Sequence, residues 1–455
     1  MTHVHIGGGQ GFWGDSDDAA VHMVHREDLD YLACDYLAEL TLSIMQRQRM
    51  KNPAAGYARD FIGLMAQIAA EAKRKGTRVL SDAGGMNITG CVDALAATAG
   101  RLGLHGYCIG YVLGDDVLAA LPGMQADGID LANLDDGRDF GDIADKVVNA
   151  NVYYGHEPIV TCLEQGADVV VTGRATDSAL FLAPLVHSFG WAPDDWDNLA
   201  RGIMAGHLLE CGGQGAGGNF DYDWRAVPDM ANLGFPIAEL TESSFHITKA
   251  RDCGGLISVQ SVKEQFLYEV HDPAAYITPD VTVDISQATL TQAGDNRVEV
   301  GGIKGKPRPD RLKLNIGYHA GYRVVTYLSF AWPDAYEKAQ AAAEILLQKL
   351  AKKGLKYRDC LISYVGLNAL HLGVADMSPE RLRDQNEVIL RLALLTDEKA
   401  EAEKIIPEIA PLQLNGPPGA SFFGGRAKAQ EVIGLWPTLI PRGAVQLTPH
   451  LQKVD

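Results

Sequence analysis

The residues able to do chemistry in this chain stand at the ends of short apolar runs, and no self-contained catalytic signature links them. The sequence holds no G-x-S-x-G, H-E-x-x-H, Walker A or C-x-x-C motif. His156, just before Glu157 and Pro158, can act as a general base, although a lone histidine as often simply packs. Arg174 follows Gly173 and precedes Asp177. A guanidinium there suits carboxylate binding through two parallel hydrogen bonds, and the competing reading is an Arg–Asp pair that caps the next helix. If Arg174 faces the surface, its loss costs little stability. Asp82 and Asn87 lie in the turn Ser81-Asp82-Ala83-Gly84-Gly85-Met86-Asn87. Glu210 and Cys211 offer an acid and a thiol, and the thiol has no evident partner base. The catalytic candidates are therefore Asp82, Asn87, His156, Arg174, Asp177 and Glu210. Asp15 and Asp82, joined by Glu39, carry the hard oxygen ligands that a magnesium-type cation takes.

Two glycine-dense stretches invite a ligand. In His5 to Ser16 a β-type run empties into five glycines within eight positions, with a helix-compatible segment behind them. Such a turn lets backbone N–H groups approach an anion at a helix start. Gly8, Gly9, Gly11 and Trp13, with Gly84 and Gly85 of the later turn, are the expected cofactor-binding positions. Gly9, Gly11 and Gly14 spell G-x-G-x-x-G, and Asp35 stands where a dinucleotide site keeps its ribose acid. Against that reading, Asp15, Asp17 and Asp18 would repel a diphosphate and Phe12-Trp13 crowd the turn. A tight structural turn closed by its own acids remains the alternative. The second stretch, Glu210 to Phe220, reads as a mobile active-site loop or a plain connector.

The elements that must position these residues alternate. Val4 to Ile6, Tyr31 to Cys34, Arg78 to Leu80, Tyr107 to Leu113, Val152 to Tyr154 and Val169 to Thr172 are strand-like. Between them run segments with apolar residues at three- and four-residue spacing, which implies βα units and a parallel sheet. The expected fold is α/β: a mostly parallel sheet with flanking helices over residues 1–275, then a smaller α+β domain over 276–455. Parallel strands place their carboxyl ends on one edge. The Gly8 to Gly11 turn, Asp82, Asn87, His156 and Arg174 should then meet in one cleft, with residues 212–218 over it as a lid. The stretch Lys304 to Pro309 is basic and reads as a solvated loop or a seat for coenzyme A phosphates.

Composition bounds the partners. With 58 acids against 40 bases and a net charge of −18, no nucleic-acid or anionic-membrane surface is expected. Seven scattered cysteines indicate neither a disulfide framework nor a thiolate zinc site, and no apolar run has membrane-span length. A cytoplasmic, homo-oligomeric enzyme or enzyme subunit is the expectation.

Several motifs resemble one family. Ile6-Gly7-Gly8-Gly9 with Gly11-Phe12-Trp13-Gly14-Asp15, Asp35-Tyr36-Leu37-Ala38-Glu39, Ser81 to Asn87, Gly166 to Arg174, and Tyr276-Ile277-Thr278-Pro279-Asp280 recur in this order in the acyclic terpene utilisation (AtuA-type) family. The resemblance implies a place in citronellol and geraniol catabolism through coenzyme A thioesters. It transfers no catalytic residues. It implies a branched acyl-CoA or related carboxylic acid as the small-molecule ligand, coenzyme A as part of the substrate, and lyase or hydratase chemistry. A scaffold subunit of an acyl-CoA carboxylase is the rival, and a nucleotide-binding protein a further one. Longer relatives carry a small extra domain, which implies a separate small partner protein here.

Overall fold

Alternation of apolar runs with amphipathic segments becomes a mixed α/β architecture. The computed structural model describes residues 3–383 and 385–455. Its first strands are β1 (Val4–Gln10), β2 (Tyr31–Cys34), β3 (Arg78–Ser81), β4 (Cys108–Leu113), β5 (Val147–Val152), β6 (Val169–Val171), β7 (Pro236–Leu240) and β8 (Phe245–Lys249). The helices among them are α1 (Asp18–Arg26), α2 (Glu39–Lys51), α3 (Arg59–Lys75), α4 (Ile88–Arg101), α5 (Leu121–Ala126), α6 (Glu157–Glu164), α7 (Ala179–Phe189) and α8 (Trp196–Leu209), of thirteen α-helices among the described residues.

A ten-stranded sheet runs in the order Thr289–Gly294, Arg297–Gly301, β8, β7, β1, β2, β3, β6, β4, Thr448–Lys453. Only the block β1-β2-β3-β6-β4 is parallel, and every other neighbouring pair is antiparallel. The sheet is thus mixed, where a mostly parallel one was expected. Connection length gives the reason. Helical crossovers join the first strands, whereas four residues join β7 to β8, and a link that short can only return antiparallel. The run expected at Val152 to Tyr154 is also displaced: β5 pairs with the strand Arg311–Ala331 and not with the parallel block.

Alternate residues of the central strands enter two separate cores, as a period-2 side-chain pattern requires. Tyr31, Ala33, Leu80 and Val170 pack with Leu163, Leu182 and Ile203 of α6, α7 and α8. Leu32, Val79 and Val171 pack with Met23, Leu64 and Val92 of α1, α3 and α4. This explains why β6 reads as an unbroken Val-Val-Val: all three are fully buried, and burying each contributes about 2 kcal/mol.

The chain divides into two compact units, residues up to 317 with Leu435–Asp455, and Tyr318–Gly434. The sequence reading divides it at 275/276. Residues 276–317 and the proline-containing tail belong instead with the first unit, the tail adding an antiparallel edge strand to β4. In the second unit Asp359–Val365, Glu387–Thr396, residues 322–331 and Ser421–Phe422 form an antiparallel sheet. Its alternate residues pack against Ala335–Lys352 and Lys399–Ile409. Among the described residues no helix is long and apolar enough to cross a membrane.

Candidate active site

Because β6 lies between β3 and β4, its terminal turn carries Arg174 into the gap between the residues that follow its neighbours. Asp115, two residues after β4, accepts from the Arg174 backbone N–H (2.9 Å) and from Asn151 Nδ2 (3.1 Å). The guanidinium is only 3% exposed. Its Nη1 donates to Asp177 Oδ1 and to the Ala175 carbonyl (3.0 Å), and its plane lies 4.3 Å from the Tyr153 ring centre. Burial disfavours the charge, but Asp177, Tyr153 and Asp35 outweigh it and hold Arg174 firmly protonated.

Three carboxylates face this cation. Asp35, after β2, Asp82, after β3, and Asp177 each place an oxygen within 4.8 Å of the others. Asp82 accepts from the backbone N–H groups of Tyr36 (2.8 Å) and Leu37 (3.1 Å), and Asp35 accepts from Leu37 (3.1 Å). These N–H groups belong to the chain leaving β2, so the Asp35-Tyr36-Leu37 turn is folded around the end of β3. Burial pushes both acids up, helped for Asp35 by the charges of Asp177 and Asp82, while Arg174 pulls both down. Burial likewise raises Asp115 to about 6. Glu39 goes the other way: burial would raise it, but Lys313, 3.0 Å away, and Arg174 bring it down to about 2.

These groups open onto a cavity of about 570 Å³ lined by Gly11, Asp35, Glu39, Tyr153, Arg174, Asp177, Glu210, Cys211 and Lys313, among others. The volume lies in the range of small-molecule sites. Glu210, at the end of α8, accepts from or shares a proton with His207 Nδ1 (3.0 Å), one helical turn back. Burial raises its carboxyl, against the pull of His207. Its Oε2 and the Nε2 of His207 are buried without a hydrogen-bond partner. Cys211 is pushed up to about 12, chiefly by burial, which leaves it a poor nucleophile at neutral pH.

Of the expected catalytic residues, Arg174, Asp177 and Glu210 line the cavity and Asp82 backs it through Asp35. Asn87 and His156 do not line it. Asn87 caps α4 by accepting from Gly90 N–H and spends its amide on the carbonyls of Pro53 and Ala55. His156 is held by Asp280 through its ring (2.8 Å) and its backbone N–H (3.1 Å), below the start of α6. Asp15 stands apart from the three carboxylates, taken up by the N–H groups of Gly11 (3.0 Å) and Ser16 (2.8 Å).

The glycines answer to the chain's own packing. Gly8 and Gly9 are within β1, where a Cβ would meet the Leu209 carbonyl oxygen at 2.5 Å and Cys34 Sγ at 2.8 Å. Gly11 does line the cavity, yet Asp15 already fills its N–H and a Cβ would strike the Cys211 carbonyl. Trp13 is tied to Asp60 (2.9 Å), and at Gly84 a Cβ would meet the Thr172 carbonyl oxygen at 2.6 Å. Gly85 has positive φ, +49°, against Met45. The expected lid at 212–218 is a packed 3-10 turn at Gly212–Ala216, with Gly215 closed against the Leu208 carbonyl. Lys304, Lys306 and Arg308 of the basic stretch are paired with Asp197, Asp284 and Glu157.

Sequence reasoning missed Lys313, Tyr153, His207 and Asp280. Lys313 is 274 residues from its partner Glu39, and among the other polar residues of its strand, Arg311, Asn315 and His319, nothing local singled it out. No curated protein and no solved structure matches the chain. The model of the family described as acyclic terpene utilisation family protein AtuA matches residues 4–451, nearly the whole length, and the chain belongs to that family.

Proposed function

We propose that this protein is a lyase or hydratase-type enzyme of acyclic terpene utilisation, moving a proton beside the carbonyl of a branched carboxylic acid or its coenzyme A thioester. Family membership supports the pathway. One observation carries the chemistry: a buried, charged guanidinium and a buried carboxyl of raised pKa line the same cavity. Arg174 and Lys313, which approach the Tyr153 ring centre to 4.3 Å and 4.8 Å, would draw the carboxylate or the carbonyl oxygen of the ligand and stabilise negative charge as it develops. Glu210, its carboxyl raised by burial, would give or take the proton through Oε2, while His207 fixes Oε1.

The test is solvent-deuterium exchange and turnover on a panel of unsaturated and hydroxylated branched acids and their coenzyme A thioesters, with and without a co-expressed small partner. Exchange at the carbon next to the carbonyl, lost in Glu210→Gln, is expected. Absence of exchange and turnover across the panel would sink the reading.

A further inference from the structure

We propose that Asp35, Asp82 and Asp177 hold a hard divalent cation, Mg²⁺ or Mn²⁺, at the carboxyl edge of the parallel strands. Their three oxygens lie within 4.8 Å of one another. Ligand oxygens around an ion with bonds of about 2.1 Å sit roughly 3 to 4 Å apart, so a small contraction completes the set. Charge points the same way. One guanidinium, Arg174, stands against three carboxyl groups, which carry an excess of two negative charges once an ion has displaced their protons, and the next cation, Lys313, is engaged by Glu39 at 3.0 Å.

Backbone donors prepare the ligands. Both oxygens of Asp82 and Oδ1 of Asp35 accept N–H groups, bonds that favour the ionised forms an ion needs. An independent observation adds a fourth carboxyl on the same cavity. Glu210 is 8% exposed, its Oε2 is buried without a partner, and it lines the cavity that Asp35 and Asp177 line. A buried carboxylate oxygen left unpaired is costly, and a cation or its bound water would remove that cost. The competing occupant is a proton shared between Asp35 and Asp82. Three converging carboxyl groups, with the unpaired Glu210 Oε2 on the same cavity, exceed what one proton can satisfy.

Uptake of this ion is read separately from the proposed reaction: metal uptake without turnover would leave the site standing, and turnover without uptake would remove it. The experiment is titration of the purified full chain with Mn²⁺, followed by electron paramagnetic resonance of the free ion and by thermal denaturation. One Mn²⁺ per chain is expected, displaced by excess Mg²⁺, with an upward shift of the melting temperature. Asp177→Asn, a third exposed at its side chain and so least disruptive to folding, should weaken binding at least tenfold, and Asp35→Asn likewise. Asp15→Asn should leave it unchanged. No saturable uptake by the folded wild type, or uptake lost in Asp15→Asn and kept in Asp177→Asn, overturns the proposal.

Discussion

Replacing Arg174 by alanine tests whether the candidate site is held together by its one buried cation. An arginine in a strand-end turn reads from sequence as a surface group whose loss matters little. The structure leaves it 3% exposed, bonded to Asp177 and the Ala175 carbonyl and stacked on Tyr153. Removing one partner of a buried pair costs about 3–5 kcal/mol, because the other charge stays behind unpaired. Asp177 is about a third exposed and recovers some hydration, which sets the expectation for Arg174→Ala near the lower bound, about 3 kcal/mol at pH 8. The loss must also depend on pH. Arg174 lowers the pKa values of Asp35 and Asp82, so without it both rise further above their unfolded values. A group whose pKa is raised on folding contributes stability below its unfolded pKa and loses it as pH rises through the folded one. The variant should therefore recover stability on acidification from pH 8 toward pH 5.5, more than the wild type does. Urea unfolding at the two pH values measures both effects. A loss below about 1 kcal/mol at pH 8, or one that does not change with pH, would refute the argument that burial makes this pair matter.

Gly155→Ala should be among the most destabilising single changes, about 3 kcal/mol or more by urea unfolding, because the new Cβ would stand 1.8 Å from Asp280 Oδ1, a carboxylate pinned by His156. For His156, burial lowers the pKa but Asp280 overrides it, for a net rise. Its contribution is then present below about pH 6.5 and lost as pH rises through the folded value, so His156→Gln should cost about 2 kcal/mol at pH 6 and clearly less at pH 9. A cost independent of pH would mean the imidazole acts here only as a neutral hydrogen-bonding group. Cys211, pushed up to about 12, should resist iodoacetamide at pH 8 in the folded chain when followed by mass spectrometry, and rapid alkylation there would contradict its burial.

Particular residues show where reading the chain succeeds. Asp35, Asp82 and Arg174 were all legible as polar residues closing apolar runs, and parallel pairing of β2, β3 and β6 brings those ends to one edge. Asn87 and His156 look the same in sequence and go elsewhere. Asn87 sits one helix start too late and serves as a cap. His156 follows β5, which leaves the parallel block for a strand more than 150 residues on. The glycines of the first turn were read as letting a ligand approach the backbone, whereas what approaches Gly8 and Gly11 is the segment Leu209 to Gly212, and what approaches Gly9 is Cys34.

The amino-acid sequence by itself determined the βα alternation, the polar strand ends and the family, since these rest on side-chain periodicity and turn chemistry among near neighbours. Only the tertiary structure decided that β6 enters between β3 and β4, that the later strands make the sheet mixed, and that Lys313 and Glu210 complete the cavity wall. Strand order is fixed by which long crossovers bury both faces of the sheet, a quantity that depends on all the elements at once. The shifted acids follow from the same cause, because a carboxyl's pKa is set by the charges and the burial around it, and those are supplied by chain segments far away in sequence.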